Sequence, residues 1–259
     1  MCSRILIKIG GRAFEGEQGF KDLALAIKST RNVEIIIVHG GGAEISQALK
    51  NADRKTQFID GIRVTRAEDI KIVETVLSKT INQRIVSWLA TNGVPGSPMS
   101  GKTRQLFIVE PLTRMGQDLG YVGKIKQVNA GVVLDTLKSG QVPVVSPISA
   151  NEEGQSYNVN ADSAAAALAA AIRCTDLVFV TDVPGVLVDD EIRPSLSVQK
   201  AQALIADGTI KGGMVAKMES AFEALHQKVL RVHIIQWHGP QTLHNITEGK
   251  PETGTTITP

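Results

Sequence analysis

Four short stretches of this chain hold residues whose types and spacing suit one kind of chemistry. Lys8 closes an apolar run over residues 4–9, just ahead of Gly10 and Gly11. A second run, 33–38, ends in His39-Gly40-Gly41-Gly42. Asn158 and Asn160 precede Asp162 where an alanine-rich stretch begins, and Lys211-Gly212-Gly213-Met214 leads to Lys217. A glycine turn after a strand lets backbone N–H groups close on an anion, and a lysine there adds a mobile positive charge. Two lysines, exposed amides, an aspartate and two carboxamides suit a reaction in which charge builds on oxygen. Phosphoryl transfer is such a reaction, and its catalysis is mostly positioning and electrostatic stabilisation. Each stretch also has a plainer reading. Lys8 reads as a strand-end lysine reaching water, Asp162 as a first-turn helix charge, Asn158 and Asn160 as helix caps, and the glycines as turns.

Gly96-Ser97-Pro98-Met99-Ser100-Gly101-Lys102-Thr103 formally satisfies G-x-x-x-x-G-K-S/T, the phosphate-binding P-loop. Its surroundings argue against that role. A P-loop needs a buried strand before it and a helix after it, whereas here a long helical pattern and a brief Val94-Pro95 come first, and 104–109 reads as strand. Pro98 also removes one of the amides that would cradle phosphate.

The elements that must position these groups are legible from periodicity. Strand 4–9, helix 20–29, strand 33–38 and helix 43–51 make a βαβα unit with a parallel pair of strands, so both glycine turns fall at one sheet edge. Residues 57–65 read as a hairpin turning at Asp60-Gly61. Val73, Val76, Leu77, Ile81, Ile85, Trp88 and Leu89 recur at three- and four-residue spacing, which predicts a helix over 67–91. Its length, and the off-stripe Ile72 and Val86, suit a core helix or a subunit interface. Strand candidates 106–109 and 120–122 are expected to form an antiparallel hairpin added to the main sheet. Helix 130–139, strand 142–145, a helix from about 161 to 173, strand 177–180, helix 198–206, helix 215–228 and strand 231–236 complete the pattern. The chain is α/β throughout.

At 259 residues the chain is long enough for one large α/β domain or two lobes sharing a sheet. A net charge of +2 without a long basic block gives no sign of a nucleic-acid surface. No apolar run reaches the ~18 residues that span a bilayer. The first strand begins by residue 4, so no signal or transit peptide is expected. Cys2 and Cys174 are too few for a disulfide framework or a thiolate metal site, and the expected compartment is the cytoplasm. The residues offer no dedicated cluster of metal ligands.

Taken together and in this order, Lys8-Ile9-Gly10-Gly11, Val38 to Gly42, Asp60 to Thr65, Tyr157 to Asp162, Thr181 to Leu187 and Gly212-Gly213-Met214 with Lys217 resemble the amino-acid kinase family. The resemblance covers most of the chain. It implies an open αβα sandwich with a mainly parallel central sheet. An N-terminal lobe (1–173) would bind an acyl amino acid and dimerise, and a C-terminal lobe (174–259) would bind ATP. The activity it implies is ATP-dependent phosphorylation of the side-chain carboxylate of N-acetyl-L-glutamate. By the same resemblance Lys8 and Lys217 would stabilise the transferring phosphoryl group, and Asp162 would hold the two lysines. Gly10 and Gly11 would face the phosphoryl group, and Gly41 and Gly42 the acceptor. Arg63 would pair with the acceptor's α-carboxylate, with Asn158 orienting that end and Asn160 nearby. Without the resemblance, Arg63 reads equally as a surface hairpin residue. Thr181, Asp182, Val183, Pro184, Gly185 and Val186, with Thr209, Ile210 and Lys211, would frame the nucleotide. Magnesium is expected on the phosphate oxygens alone. His39 is read as structural, since a carboxylate acceptor is ionised at pH 7 and needs no base.

Regulated relatives carry a further N-terminal helix that links dimers into a hexamer. Here the first strand starts at Arg4, and 232–238 also looks like the short type. The expectation is a homodimer through helix 67–91 that does not respond to arginine. Ala43-Glu44-Ile45 and Gly101 to Arg104 depart from the family pattern, and the second departure leaves the role of that loop open. Two other readings stand beside the first: the same chemistry on N-succinylglutamate or an aminoadipate derivative, and a nucleotide-sensing module without activity. The presence of Lys8, Asp162 and Lys217 together favours an enzyme.

Overall fold

The structure is a computed structural model that describes residues 3–10, 16–114, 116–249 and 254–259. Gly11 and Cys2 lie outside the described residues. The first half opens with β1 (Ser3–Ile9), α1 (Gly16–Ser29), β2 (Val33–His39) and α2 (Gly42–Asn51). Short β3 (Phe58–Ile59) and β4 (Ile62–Arg63) form the hairpin expected at Asp60-Gly61. Then come α3 (Ile70–Glu74), a π-helical segment (Thr75–Ile81) and α4 (Asn82–Thr91), which together make one continuous helix. Next are β5 (Gly96–Ser100), β6 (Phe107–Arg114), β7 (Gln117–Val128), α5 (Gly131–Lys138), β8 (Val142–Ser146), β9 (Ile148–Ala150) and β10 (Ser156–Asn158). The rest runs α6 (Ala161–Ala171), β11 (Asp176–Val180), β12 (Leu187–Val188), β13 (Glu191–Ile192), β14 (Ser195–Ser197), α7 (Val198–Ala206), α8 (Gly213–His226), β15 (Arg231–Ile235), α9 (Gln241–Thr247) and β16 (Gly254–Thr258).

The central sheet has eight strands in the order β14-β16-β15-β11-β1-β2-β8-β5 and is parallel except where β16 opposes β15. Its inner strands are apolar runs buried on both faces, as parallel strands covered by helices must be. One face packs on α5, α6, α7 and α8, the other on α1, α9 and the helix 70–91. The expected αβα sandwich is therefore present. Strand register sets the geometry of the carboxyl edge. Ile9 lies opposite both His39 and Val180, so β1, β2 and β11 stop at one level. Gly10, Gly40 and Thr181 thus emerge side by side there.

Two expectations need correction. The hairpin of β6 and β7 does not join the main sheet; it closes with β9 and β10 into a small four-stranded barrel. The edge beside β8 is taken by β5, paired in parallel over five residues, and register shifts at Ile108/Val109 and Pro111/Thr113 bend the hairpin away. The P-loop look-alike is β5 together with the turn that follows it. Its Lys102 is tied to Glu74 and to Ser156, at 2.9 Å each, and serves to brace the helix against β10.

The second correction concerns the helix expected over 67–91, which begins at Ile70 and is not α throughout. Val73, Leu77, Ile81, Ile85 and Leu89, all buried, keep a strict four-residue spacing. On a helix of about 3.6 residues per turn that stripe drifts by about 40° per step. The wider turn of the π segment takes up part of the drift and keeps the stripe on the sheet.

Candidate active site

Lys8, buried on β1, points toward the face covered by α6 and α8. Asp162 sits in the first turn of α6 and Lys217 on α8, and the two lysines converge on the one carboxylate. Lys8 Nζ is 2.8 Å from Asp162 Oδ1, and Lys217 Nζ donates to Oδ2 at 3.0 Å. Because α8 begins at Gly213 rather than at Val215, Lys217 opens the second turn, one turn later than its spacing suggests. Its ammonium also lies 5.0 Å from the centre of the Phe179 ring, the residue paired with Lys8 across β1 and β11. Burial alone would push the Asp162 carboxyl up, but the ammoniums of Lys8 and Lys217 together outweigh it and hold the group at about 2. Burial pulls Lys217 below the ordinary lysine range, with Asp162 opposing. The trio carries one net positive charge in a nearly dry place, where such charge acts most strongly.

Asn160 does what its plainer reading said. It caps α6, its Oδ1 accepting from the N–H groups of Asp162 (2.8 Å) and Ser163 (3.2 Å). This cap fixes the turn that presents Asp162. Gly10 has a local reason to be glycine, since a Cβ there would run into the Lys8 ammonium. A Cβ on Gly41 would strike the ends of the Ile81 and Leu77 side chains, which would have to shift to admit it. Gly42 has no atom within 4 Å of where its Cβ would lie, and it faces open space.

That open space is a cavity of about 240 Å³ lined by Lys8, Gly40, Gly41, Gly42, Arg63, Asn158 and Asp162 among others. Arg63 is no surface hairpin residue: it is 7% exposed. Its guanidinium donates to the Gly42 carbonyl (2.8 Å), Ser46 Oγ (2.9 Å) and Thr56 Oγ1 (3.3 Å), and lies 4.7 Å from the centre of the Phe58 ring. Among the described residues no carboxylate pairs with it, and burial lowers its basicity. A buried cation held only by neutral groups is ready for an anion. Asn158 donates to Thr65 Oγ1 at 3.1 Å, which holds its side chain at the wall of the cavity.

The residues expected around a nucleotide flank the two lysines on the other side. Thr181 comes directly after β11, its N–H held by the Ile235 carbonyl at 2.9 Å. Asp182 lies close enough to act on the charge of Lys217. Val186 and Ile210 put their side chains in the core, so those two positions offer only main chain to a ligand. A Cβ on Gly185 would crowd Thr255 Oγ1, whose oxygen accepts from the Val186 N–H at 2.8 Å. Thr209 and Lys211 stand in the segment that leads into α8.

Sequence reasoning missed Phe58, which stacks on Arg63 at the mouth of the cavity, and Asn82. The signal for Asn82 was an amide beside Ile81 on the buried stripe of a helix.

Two ammoniums pinned by one aspartate at the carboxyl edge of a parallel sheet, beside a cavity holding an unpaired guanidinium, define a phosphoryl-transferring α/β protein. The sequence profile described as the amino acid kinase family matches residues 3–236. An acetylglutamate kinase of Pseudothermotoga lettingae is 39% identical over 240 residues, which are 92% of this chain and 85% of that protein. One of Geobacillus kaustophilus is 36% identical over 249 residues, 92% of this chain and 96% of that protein. A solved structure from Streptococcus mutans UA159 matches with a TM-score of 0.81 at 28% identity, covering 100% of this chain and 99% of the other. The chain belongs to the amino acid kinase family.

Proposed function

We propose that this kinase transfers the γ-phosphoryl group of ATP to the side-chain carboxylate of N-acetyl-L-glutamate, the second step of arginine synthesis. The observation that carries this reading is one cavity lined by the Arg63 guanidinium, which no carboxylate among the described residues pairs, and by Lys8 and Asp162, with Lys217 bound to the same aspartate. An acceptor with two carboxylates suits it. The α-carboxylate would take the two-pronged contact with Arg63, and Asn158 would orient that end. The side-chain carboxylate would then lie toward Lys8. It is ionised at pH 7, so no base is required.

The nucleotide would lie over Thr181 to Val186 and Thr209 to Lys211, with its magnesium on phosphate oxygens. Charge spreads over the oxygens of the transferring group and onto the leaving diphosphate. Lys8 would meet it from the acceptor side and Lys217 from the leaving side. Asp162 would keep both ammoniums apart and aimed before substrate arrives, so the field needs no reorganisation during transfer. On this reading residues 1–173 form the acyl-amino-acid lobe and 174–259 the nucleotide lobe. Helix 70–91 leaves Ile72, Val76, Val86 and Trp88 only partly covered, and we assign it to a homodimer interface; a sedimentation mass well above two subunits would sink that assignment. Among the described residues no helix is long and apolar enough to cross a membrane, and we place the enzyme in the cytoplasm.

The test is an acceptor series. ATP and Mg²⁺ are supplied with N-acetylglutamate, N-succinylglutamate or 2-aminoadipate, and the acyl phosphate is trapped as a hydroxamate. Hydroxamate from N-acetylglutamate at the highest kcat/KM is the expected result. None from any acceptor overturns the kinase reading, and preference for another acceptor changes the substrate.

A further inference from the structure

We propose that Asn82 is a positioning residue of this site, acting through His39 to fix the peptide between Gly40 and Gly41 at the acceptor cavity. The inference deepens the kinase reading above and rests on it. Asn82 opens α4 directly after the π segment and is fully buried. Its Nδ2 lies 3.0 Å from His39 Nε2, 3.2 Å from the Met99 carbonyl and 2.9 Å from the Val144 carbonyl. Two of these partners are carbonyls, which only accept, so the amide nitrogen must face them and cannot be exchanged with Oδ1. Two hydrogens face three neighbours, so a donation to His39 is not required; but the amide nitrogen cannot accept, so Nε2 faces it without a proton. The imidazole proton is then on Nδ1, which donates to the Gly40 carbonyl at 3.0 Å.

That donation reaches the site through the planarity of the peptide bond. The Gly40 carbonyl and the Gly41 N–H belong to one trans unit and point in opposite directions. Holding the carbonyl against His39 turns the Gly41 N–H the other way, and Gly41 lines the cavity. The Gly40 N–H is fixed in turn by the Ile9 carbonyl at 2.9 Å, which ties this loop to the end of β1. The π segment serves the same loop twice. It leaves room for the Cβ-less Gly41 beneath Leu77 and Ile81, and it delivers Asn82 at His39. Asn82 Oδ1 is buried with no partner among the described residues, a cost that packing alone does not call for.

The charged groups that act on His39 are Glu44 on α2, Arg84 on α4 and Lys8 on β1. Burial outweighs them and the bond to Gly40, and lowers His39 from 6.5 to about 4. Since the folded protein disfavours the imidazolium, His39 adds nothing to stability loss above pH 6.5 and weakens the fold as pH falls from there toward 4.

Two measurements test the inference. In the intact protein, nitrogen NMR of the imidazole should show His39 neutral with its proton on Nδ1 from pH 8 to pH 5. In Asn82→Asp the new carboxylate only accepts, so at pH 7 the single imidazole proton should move from Nδ1 to Nε2 and leave the Gly40 carbonyl without its donor. In that variant kcat/KM for N-acetylglutamate should fall about 30-fold, with KM for ATP changed less than about threefold, since a small misplacement in a site is costly. Its profile should acquire a titration between pH 5 and 8. Should that variant fail to fold, the pair His39→Asn and His39→Leu decides. Asparagine can still donate to the Gly40 carbonyl and should retain most acceptor kcat/KM, whereas leucine should lose it. A wild-type proton on Nε2, or equal kcat/KM in the asparagine and leucine variants, overturns the inference. Loss of all activity in the wild type would instead overturn the kinase reading, while the NMR result still stands.

Discussion

Asp162→Asn abolishes most turnover, by about 10²- to 10³-fold, because one side chain sets the position and the charge of both lysines. The substitution keeps the shape and removes the charge. The amide offers one oxygen and one NH₂, so one of the two ammoniums, now 2.8 and 3.0 Å away, meets a donor in place of an acceptor. Removing one partner from a buried charge network leaves the others uncompensated, typically at about 3–5 kcal/mol, unless they move or lose a proton. Lys217 has that escape. Burial already lowers it and Asp162 is what holds it up, so the variant should lose the Lys217 proton at a lower pH than the wild type. Residual activity should therefore decline as pH rises, a limb that the wild type lacks in that range. Stability has the opposite signature. The Asp162 carboxyl is held at about 2 against an ordinary 3.8, so its stabilising contribution is present above 3.8 and lost as pH falls toward 2. Wild type and variant should differ at pH 6 and converge in that acid window. Unchanged kcat in the variant would leave Asp162 as a helix-terminus charge and nothing more.

Much of this architecture is legible in the sequence because its inner strands are local signals. Apolar runs at 4–9 and 33–38 with glycines behind them predict β1 and β2, and a right-handed crossover then brings both turns to one edge. Asp162 and Lys217 join that edge only through the register of β1 with β11 and the packing of α6 on α8, which no spacing within the sequence reports. The small barrel is hidden for a similar reason. The antiparallel pairing of β6 with β7 is local, but the strand they might have joined is already occupied by β5, whose Gly-Ser-Pro composition reads as a loop. Strands β14 and β16 escape notice because they are short, rich in Ser and Thr, and stabilised by partners far along the chain.

Within the site, residue types are more legible than the reasons for them. Glycine at 10 and 41 is expected where a ligand comes close; the structure assigns the first to the Lys8 ammonium and the second to Leu77 and Ile81. Asn160 reads as a ligand or as a cap; it caps α6 and also lines the cavity. Arg63 reads as a surface residue or as an anion site, and its burial without a carboxylate removes the first alternative. The π segment leaves a trace only in the strict spacing of 73, 77, 81, 85 and 89, since helix periodicity alone tolerates that stripe for two turns.

Lys8→Arg should lower kcat by about 10²-fold or more while changing the dissociation constant of the nucleotide by less than about threefold. Charge is conserved, so a purely electrostatic screen of the site predicts little change. Shape decides against that. Lys8 Nζ fits between Asp162 Oδ1 and a glycine whose own Cβ would already collide with it. A guanidinium is broader than an ammonium and keeps its donors in one rigid plane. With the Lys8 side chain 9% exposed, the fork cannot spread without displacing the Gly10 backbone or turning outward from the strand. Turned outward it no longer reaches the oxygens on which charge builds, and Asp162 keeps only Lys217 as a partner. On the proposed reading the nucleotide is held by other parts, the 181–186 and 209–211 segments. Calorimetry of the nucleotide and single-turnover rates with N-acetylglutamate separate the two quantities. Parallel losses in both would make Lys8 a binding group for ATP, and the transition-state contact would then have to come from Lys217 alone.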